Sequence, residues 1–154
     1  MTRNKNAIET KGLLSKAIDW KLQVDIGERL VFPADIAETA QRPDMVITSR
    51  STKTLILVEL TVPWEDRIEV SHELKQAKYD DLVTQARQNG WHATCFSIEA
   101  GCRGFPAKSV SWMLKTLGIP STKRKKAIVD VGRMAERSSR WIWLKRDSCW
   151  LPQV

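Results

Sequence analysis

Cysteine is scarce in this chain: Cys95, Cys102 and Cys149 are the only three in 154 residues. Their number is odd and no two are spaced as CxxC. Neither a disulfide framework nor a thiolate zinc site is indicated, and free thiols inside a cell are the simplest account. Long apolar runs are also missing. None approaches the roughly 20 residues that span a bilayer, so no membrane partner is expected. Met1 to Lys11 is polar and lacks the apolar centre of a signal peptide. The expected location is therefore intracellular, and nuclear if the host is a eukaryote. There is no internal repeat, low-complexity tract or sign of a second domain. Acidic residues are in the minority, 18 against 25 Lys and Arg, which leaves a formal charge of +7. That excess favours a polyanionic partner and says nothing about fold.

Hydrophobic residues make up 42% of the chain and charged residues 28%, a globular rather than disordered balance. The length suffices for one domain with a core. Tryptophan is abundant, with seven residues. Trp20, Trp64, Trp91 and Trp112 are spread along the chain, while Trp141, Trp143 and Trp150 crowd the end. Most are expected to be core or rim anchors. For Trp141 and Trp143, beside Arg140, Lys145 and Arg146, a base-stacking platform is the alternative.

Periodicity predicts an amphipathic helix over 5–18, burying Ile8, Leu14, Ala17 and Ile18, then an alternating strand over 19–26 stopped by Gly27. An irregular connection over 30–41 leads to strands at 44–49 and 54–62. A helix over 67–89 ends at Gly90 and is followed by a strand over 91–99, expected to run parallel to strand 54–62. A Gly-rich turn at 100–106, a helix from Pro106 to Leu117 and a terminal helix over 124–146 complete the pattern.

The most informative residues are two carboxylates. Asp44 follows Pro43, and Glu59 lies in the apolar run Leu55-Ile56-Leu57-Val58-Glu59-Leu60-Thr61-Val62. Ser49-Arg50-Ser51-Thr52-Lys53 between them is polar and turn-like. A hairpin centred between Ser51 and Thr52 pairs residues whose numbers sum to 103, which sets Asp44 opposite Glu59. Opposed side chains lie about 4.5–5.5 Å apart at Cβ. Both faces of strand 54–62 are apolar, so Glu59 should be buried, and a buried carboxylate requires a partner. Two carboxylates that close repel unless a cation lies between them, so a divalent metal is the economical explanation. A solvent-facing glutamate is the plain alternative.

On the helix that follows, one stripe carries Ile68, His72, Lys75, Tyr79, Leu82, Val83 and Ala86. Its first half turns His72, Lys75 and Tyr79 toward the sheet, which suggests a polar pocket. Lys75 snorkelling and Tyr79 at the core rim form the alternative. Lys78, about 60° around the helix, is a weaker candidate for the same pocket.

Pro43-Asp44, Glu59 and the two-residue step to Thr61 resemble the PD-(D/E)XK restriction-endonuclease-like superfamily. Arg42-Pro43-Asp44, Val58 to Glu65, Lys75 to Tyr79 and Gly101-Cys102-Arg103-Gly104-Phe105 look like nuclease-like domains of proteins encoded by eukaryotic retroelements. The resemblance covers about residues 12 to 120. It implies an α/β fold with an αβββαβ core at 1–120, to which residues 121–154 add a basic, Trp-rich helical extension packed on the same domain. It further implies a metal-dependent endonuclease that hydrolyses DNA, with Mg²⁺ or Mn²⁺ held by Asp44, Glu59 and the Leu60 carbonyl. The motif's lysine position is Thr61. In this superfamily the lysine sometimes migrates to the following helix, where Lys75 is the best substitute. Thr61, Glu65, His72, Lys78 and Tyr79 are accessory candidates. DNA is the expected partner, with RNA and a homodimer left open. A catalytically inactive nucleic-acid-binding or interaction module of the same fold is the rival.

Two basic features complete the reading. Arg103 lies between Gly101 and Gly104 in a turn that leads into a helix, a candidate phosphate contact; glycines that only satisfy the turn are the alternative. Lys123-Arg124-Lys125-Lys126 is the densest run of positive charge. A solvated helix start is its plain reading, and a phosphate-backbone contact or nuclear-import signal the alternative.

Overall fold

A computed structural model describes residues 11–149, with side chains described to Arg146. The described residues form a mixed α/β structure with a four-stranded sheet and three helices. In chain order these are β1 (Lys21–Val24), β2 (Met45–Ser49), β3 (Thr54–Thr61), α1 (Ile68–Gln88), β4 (His92–Glu99), α2 (Lys108–Leu117) and α3 (Ser121–Cys149). Two 3₁₀ turns, Leu13–Lys16 and Glu65–Arg67, precede β1 and α1. No helix among the described residues is long and apolar enough to cross a membrane.

The strands lie in the order β1-β2-β3-β4. β1, β2 and β3 are antiparallel neighbours, whereas β4 runs parallel to β3. Parallel strands cannot be joined by a tight turn, and α1 supplies the connection. In the hairpin, Met45 pairs with Val58, Val46 with Leu57 and Ile47 with Ile56. Each pair sums to 103, the register expected from the polar Ser49–Lys53 segment.

β3 is the spine of the molecule, with Thr54 to Glu59 buried. One face packs Leu55, Leu57 and Val46 against Tyr79, Leu82, Val83 and Ala86 of α1. Leu30, Phe32, Ile36 and Ala37, from the irregular connection before β2, complete that layer. The opposite face packs Ile56, Val58, Phe96 and Ile98 against Val110, Met113 and Leu117 of α2. A strand covered on both sides must be apolar on both sides, which accounts for the continuous run in β3. Its C-terminal end is where polarity returns, and the candidate site lies there.

α3 packs on α2, with Ile128 and Val131 against the second core layer. It also meets the turn before α2 closely. A Cβ at Gly132 would lie 2.6 Å from the Gly104 carbonyl oxygen, so only glycine allows the two backbones to approach this way.

Two expectations are corrected. Within the described part of 5–18, only the 3₁₀ turn Leu13–Lys16 forms; residues 5–10, with Ile8, lie outside the described residues. Gly12 and Ala17 are both extended, which ends the turn on each side. The Trp20 indole N–H donates to the Leu14 carbonyl at 2.9 Å and draws the chain toward β1, leaving Ile18 fully exposed. Nor do most of the described tryptophans reach the core, the deeper of the two places expected for them. Trp91 is in the core and Trp20 is half-buried, but Trp64, Trp112, Trp141 and Trp143 are exposed. Trp141 and Trp143 lie on the part of α3 beyond Ala135, its last buried residue among those described. Trp150 lies outside the described residues.

Candidate active site

Asp44 immediately precedes β2, anchored by the buried Pro43 and by its own carbonyl, which accepts the Asp25 N–H at 2.9 Å. The hairpin register carries one step past Met45–Val58 to bring Asp44 against Glu59. The Asp44 N–H donates to Glu59 Oε2 at 3.3 Å, and Asp44 Oδ2 accepts the Leu60 N–H at 2.8 Å. The two strand ends are thus cross-tied through both carboxylates.

Glu59 is buried at 5% exposure and is met by α1 from above. Lys75 Nζ lies 2.5 Å from Glu59 Oε1, and the Tyr79 hydroxyl donates to Oε2 at 3.0 Å. Residues 75 and 79 are one helical turn apart, so both reach the same carboxylate. Lys78 Nζ stands 3.8 Å from Glu59 Oε1 and lies over the Tyr79 ring. Lys78 is the more exposed of the two lysines, at 45% against 30% for the Lys75 side chain.

The electrostatics follow from this packing. Burial, and then the negative charge of Glu59, raise the Asp44 carboxyl above the usual range; the hydrogen bond from Leu60 and the charge of Lys75 oppose the shift. Burial, and then the hydrogen bond to Glu59, push the Tyr79 phenol far above its ordinary value. Tyr79 is therefore a permanent donor to Glu59. Cys95, on the same face of the sheet, is pushed up to about 11, by burial first and by Glu59 second. Its thiol is kept neutral and unreactive.

A second polar cluster adjoins the first. The β3–β4 register places Ser97 beside Glu59 and Glu99 beside Thr61. Glu99 is 1% exposed. It accepts hydrogen bonds from Ser97 Oγ at 2.8 Å and Ser109 Oγ at 2.7 Å, and its two oxygens lie 3.0 and 3.2 Å from His72 Nδ1. One buried carboxylate thus ties together α1, β4 and α2. These residues face a cavity of about 800 Å³ that Gln76 and Trp112 also line. Sequence reasoning placed His72 in the pocket but missed Glu99, Ser97 and Ser109. The available signal was the one used for Glu59: a carboxylate at the end of a strand buried on both faces.

The remaining candidates are distributed unevenly. Thr61 Oγ1 is buried and has no hydrogen-bond partner among the described residues. Glu65 does not join Asp44 and Glu59. Its carboxylate accepts the Arg103 N–H at 2.7 Å and faces Cys102 Sγ at 3.8 Å, so it holds the 101–104 turn in place. Arg103 is exposed, and the group that Glu65 holds is its backbone N–H. In the basic run at the start of α3, Arg124 donates to the Ile119 carbonyl at 3.3 Å and Lys126 pairs with Asp130 at 2.7 Å. Lys123 and Lys125 are exposed.

Among the described residues, no three or more His, Cys, Asp or Glu side chains gather as a metal site. The donor set at the end of β3 is two carboxylates. Asp44 Oδ2 accepts one hydrogen bond, and no partner is seen for Oδ1 among the described residues. Asp44 offers a free oxygen, and Glu59 would exchange its Lys75 contact at Oε1 for the ion; such a pair fits Mg²⁺ or Mn²⁺, since Mg²⁺ keeps several waters and is commonly held by one or two carboxylates. No protein-family model matches the chain, and no curated protein matches its sequence.

Proposed function

We propose that this chain is a metal-dependent DNA endonuclease domain with a restriction-endonuclease-like core, of the kind carried by mobile elements. The observation that carries the reading is the opposition of Asp44 and Glu59 across the β2–β3 hairpin, with Lys75 delivered to Glu59 by α1. Asp44, Glu59 and the Leu60 carbonyl would hold the ion, which when bound supplies a Lewis acid for phosphate oxygens and an acidified water.

The chain's own groups then have distinct tasks. Asp44, its Oδ2 fixed by the Leu60 N–H, offers Oδ1 to the site. Tyr79 and the Asp44 N–H lock the plane of Glu59. Lys75 sets a positive charge beside the carboxylates, where negative charge on the phosphate grows during hydrolysis. Lys75 takes this role from the helix because Thr61 stands where the motif carries lysine. The same substitution favours the second reading, an inactive nucleic-acid-binding module, in which Lys75 serves only as the counter-ion of Glu59.

Divalent binding provides the first test. Mg²⁺ or Mn²⁺ at about a hundred times its dissociation constant is expected to stabilise the fold by about 2.7 kcal/mol. Differential scanning calorimetry should record the rise in Tm, and Asp44→Ala should abolish it. The pH dependence has a fixed sign. A carboxyl whose folded pKa is raised favours the folded state below its unfolded value, and that contribution is lost as pH rises through the folded value. Protons therefore compete with metal at Asp44 from a higher pH than at an ordinary aspartate, and the metal increment should fade early on acidification. An unchanged Tm across a full Mg²⁺ and Mn²⁺ titration, with DNA present, would remove the nuclease reading.

A further inference from the structure

On the far side of the β3–α1 connection, Val62, Pro63 and Trp64 form one wall of a cleft of about 570 Å³. Arg103 from the 101–104 turn and Ile142 and Trp143 from α3 close it. Trp64 and Trp143 are each 59% exposed, although nothing in a folding account requires an indole to stay in water. Arg146 lies over the Trp143 ring, 3.8 Å from its centroid, and Arg140 at the rim pairs with Glu136. Three arginines thus border the cleft against one glutamate. We propose that this cleft binds single-stranded nucleic acid, with bases stacked on Trp64 and Trp143 and phosphates held by Arg103 and the α3 arginines.

Charge and shape select this occupant. Aromatic faces interleaved with guanidinium groups are the chemistry that holds an unpaired strand, because every base has a π-face and every nucleotide a phosphate. Arginine stacked on an aromatic ring extends the platform and can itself carry a base. A duplex keeps its bases stacked inside and cannot present them to an indole. An apolar protein segment would find three guanidinium groups around its seat, and a cationic one would be repelled by the chain's net charge of +7.

The cleft also has a fixed relation to the candidate active site. Trp64 lies five residues beyond Glu59 on the same chain segment. The Glu65 carboxylate holds the Arg103 backbone, so the two walls of the cleft are fastened to each other. A strand seated here would be one that leaves or approaches the carboxylates as a single strand. That placement rests on the nuclease reading; the binding does not.

The test measures binding in EDTA, where hydrolysis plays no part. A fluorescein-labelled oligothymidylate of about 12 nucleotides is titrated with protein, beside a duplex of equal length. Wild type is expected to bind the single strand more tightly and to show quenched tryptophan emission. Trp64→Ala and Trp143→Ala should each weaken single-strand binding roughly tenfold, within the range for loss of one stacking platform. Arg103→Ala should flatten the salt dependence by about 0.7 of a logarithmic unit per decade, the value for one single-strand phosphate. Trp112→Ala, equally exposed but outside the cleft, should bind as wild type does. Circular dichroism checks that these surface variants are folded. Wild-type affinity in both Trp64→Ala and Trp143→Ala, equal binding of duplex and single strand, or no binding of either would overturn the proposal. Single-strand binding by a protein that cuts no DNA would retain the cleft and defeat the nuclease reading. Cleavage by a protein whose cleft variants bind normally would do the reverse.

Discussion

Lys75→Met is expected to slow metal-dependent nicking of plasmid DNA by about a hundredfold or more while leaving DNA binding nearly intact. Removal of one electrostatic stabiliser from a water-poor site costs about 2.7–4 kcal/mol in the transition state. Lys75 has the geometry for such a stabiliser: its ammonium group lies on Glu59 Oε1, and its side chain is only 30% exposed. Methionine keeps the length and apolar stem of the side chain without the charge, so packing against the sheet is largely preserved. The substitution also frees Glu59 Oε1, leaving two adjacent carboxylates with less compensating charge. Metal affinity should therefore rise even as turnover falls. That opposite movement separates a catalytic cation from a structural one and is measured by calorimetric titration beside steady-state nicking assays. Lys78→Ala should matter less, since its Nζ is 3.8 Å from Glu59 and more exposed. Wild-type turnover in Lys75→Met would remove the assigned role.

The second large effect is on stability. Glu99→Ala is expected to destabilise the fold by about 3 kcal/mol, because it strands buried hydrogen-bonding groups rather than simply removing a contact. Ser97, Ser109 and His72 all point at this carboxylate, and it is the point where α1, β4 and α2 are fastened together. For a chain of this size such a loss lowers Tm by roughly 6–12 °C. His72→Ala should cost less, since the imidazole is 41% exposed and water can replace it. Thermal unfolding followed by circular dichroism checks both. A Glu99→Ala protein that melts with the wild type would mean that the cluster is not a structural joint.

The parts of this arrangement that were legible in the sequence are those set by short-range periodicity. The Asp44–Glu59 opposition follows from a polar five-residue turn between two apolar strands, since register in a hairpin is fixed by its turn and its buried face. The approach of Lys75 and Tyr79 follows from helical spacing on the stripe that also carries Leu82 and Ala86. What depends on how separate elements meet was not legible. Glu99 joins His72 and Ser109 only because α1 and the start of α2 both meet the C-terminal end of β4, contacts between separate elements that no periodicity records. Glu65 is six residues beyond Glu59, yet the loop after Pro63 turns it toward Arg103 instead of Asp44. The abundant tryptophans suggested core or rim anchors, but α3 continues past Ala135, its last buried residue among those described, and leaves Trp141 and Trp143 exposed. The apolar spacing over 5–18 suggested a full helix, which extended backbone at Gly12 and Ala17 interrupts.

The most direct measurement is cleavage of supercoiled plasmid DNA by the wild-type protein and by Asp44→Asn, each with and without Mn²⁺ or Mg²⁺. Asparagine keeps the size of the side chain and an oxygen for the Leu60 N–H but removes the charge that faces Glu59. The account predicts nicked and linear products from wild type only when the ion is present, and intact plasmid from Asp44→Asn under every condition. Intact plasmid from a wild-type protein that demonstrably binds both DNA and the ion would contradict it.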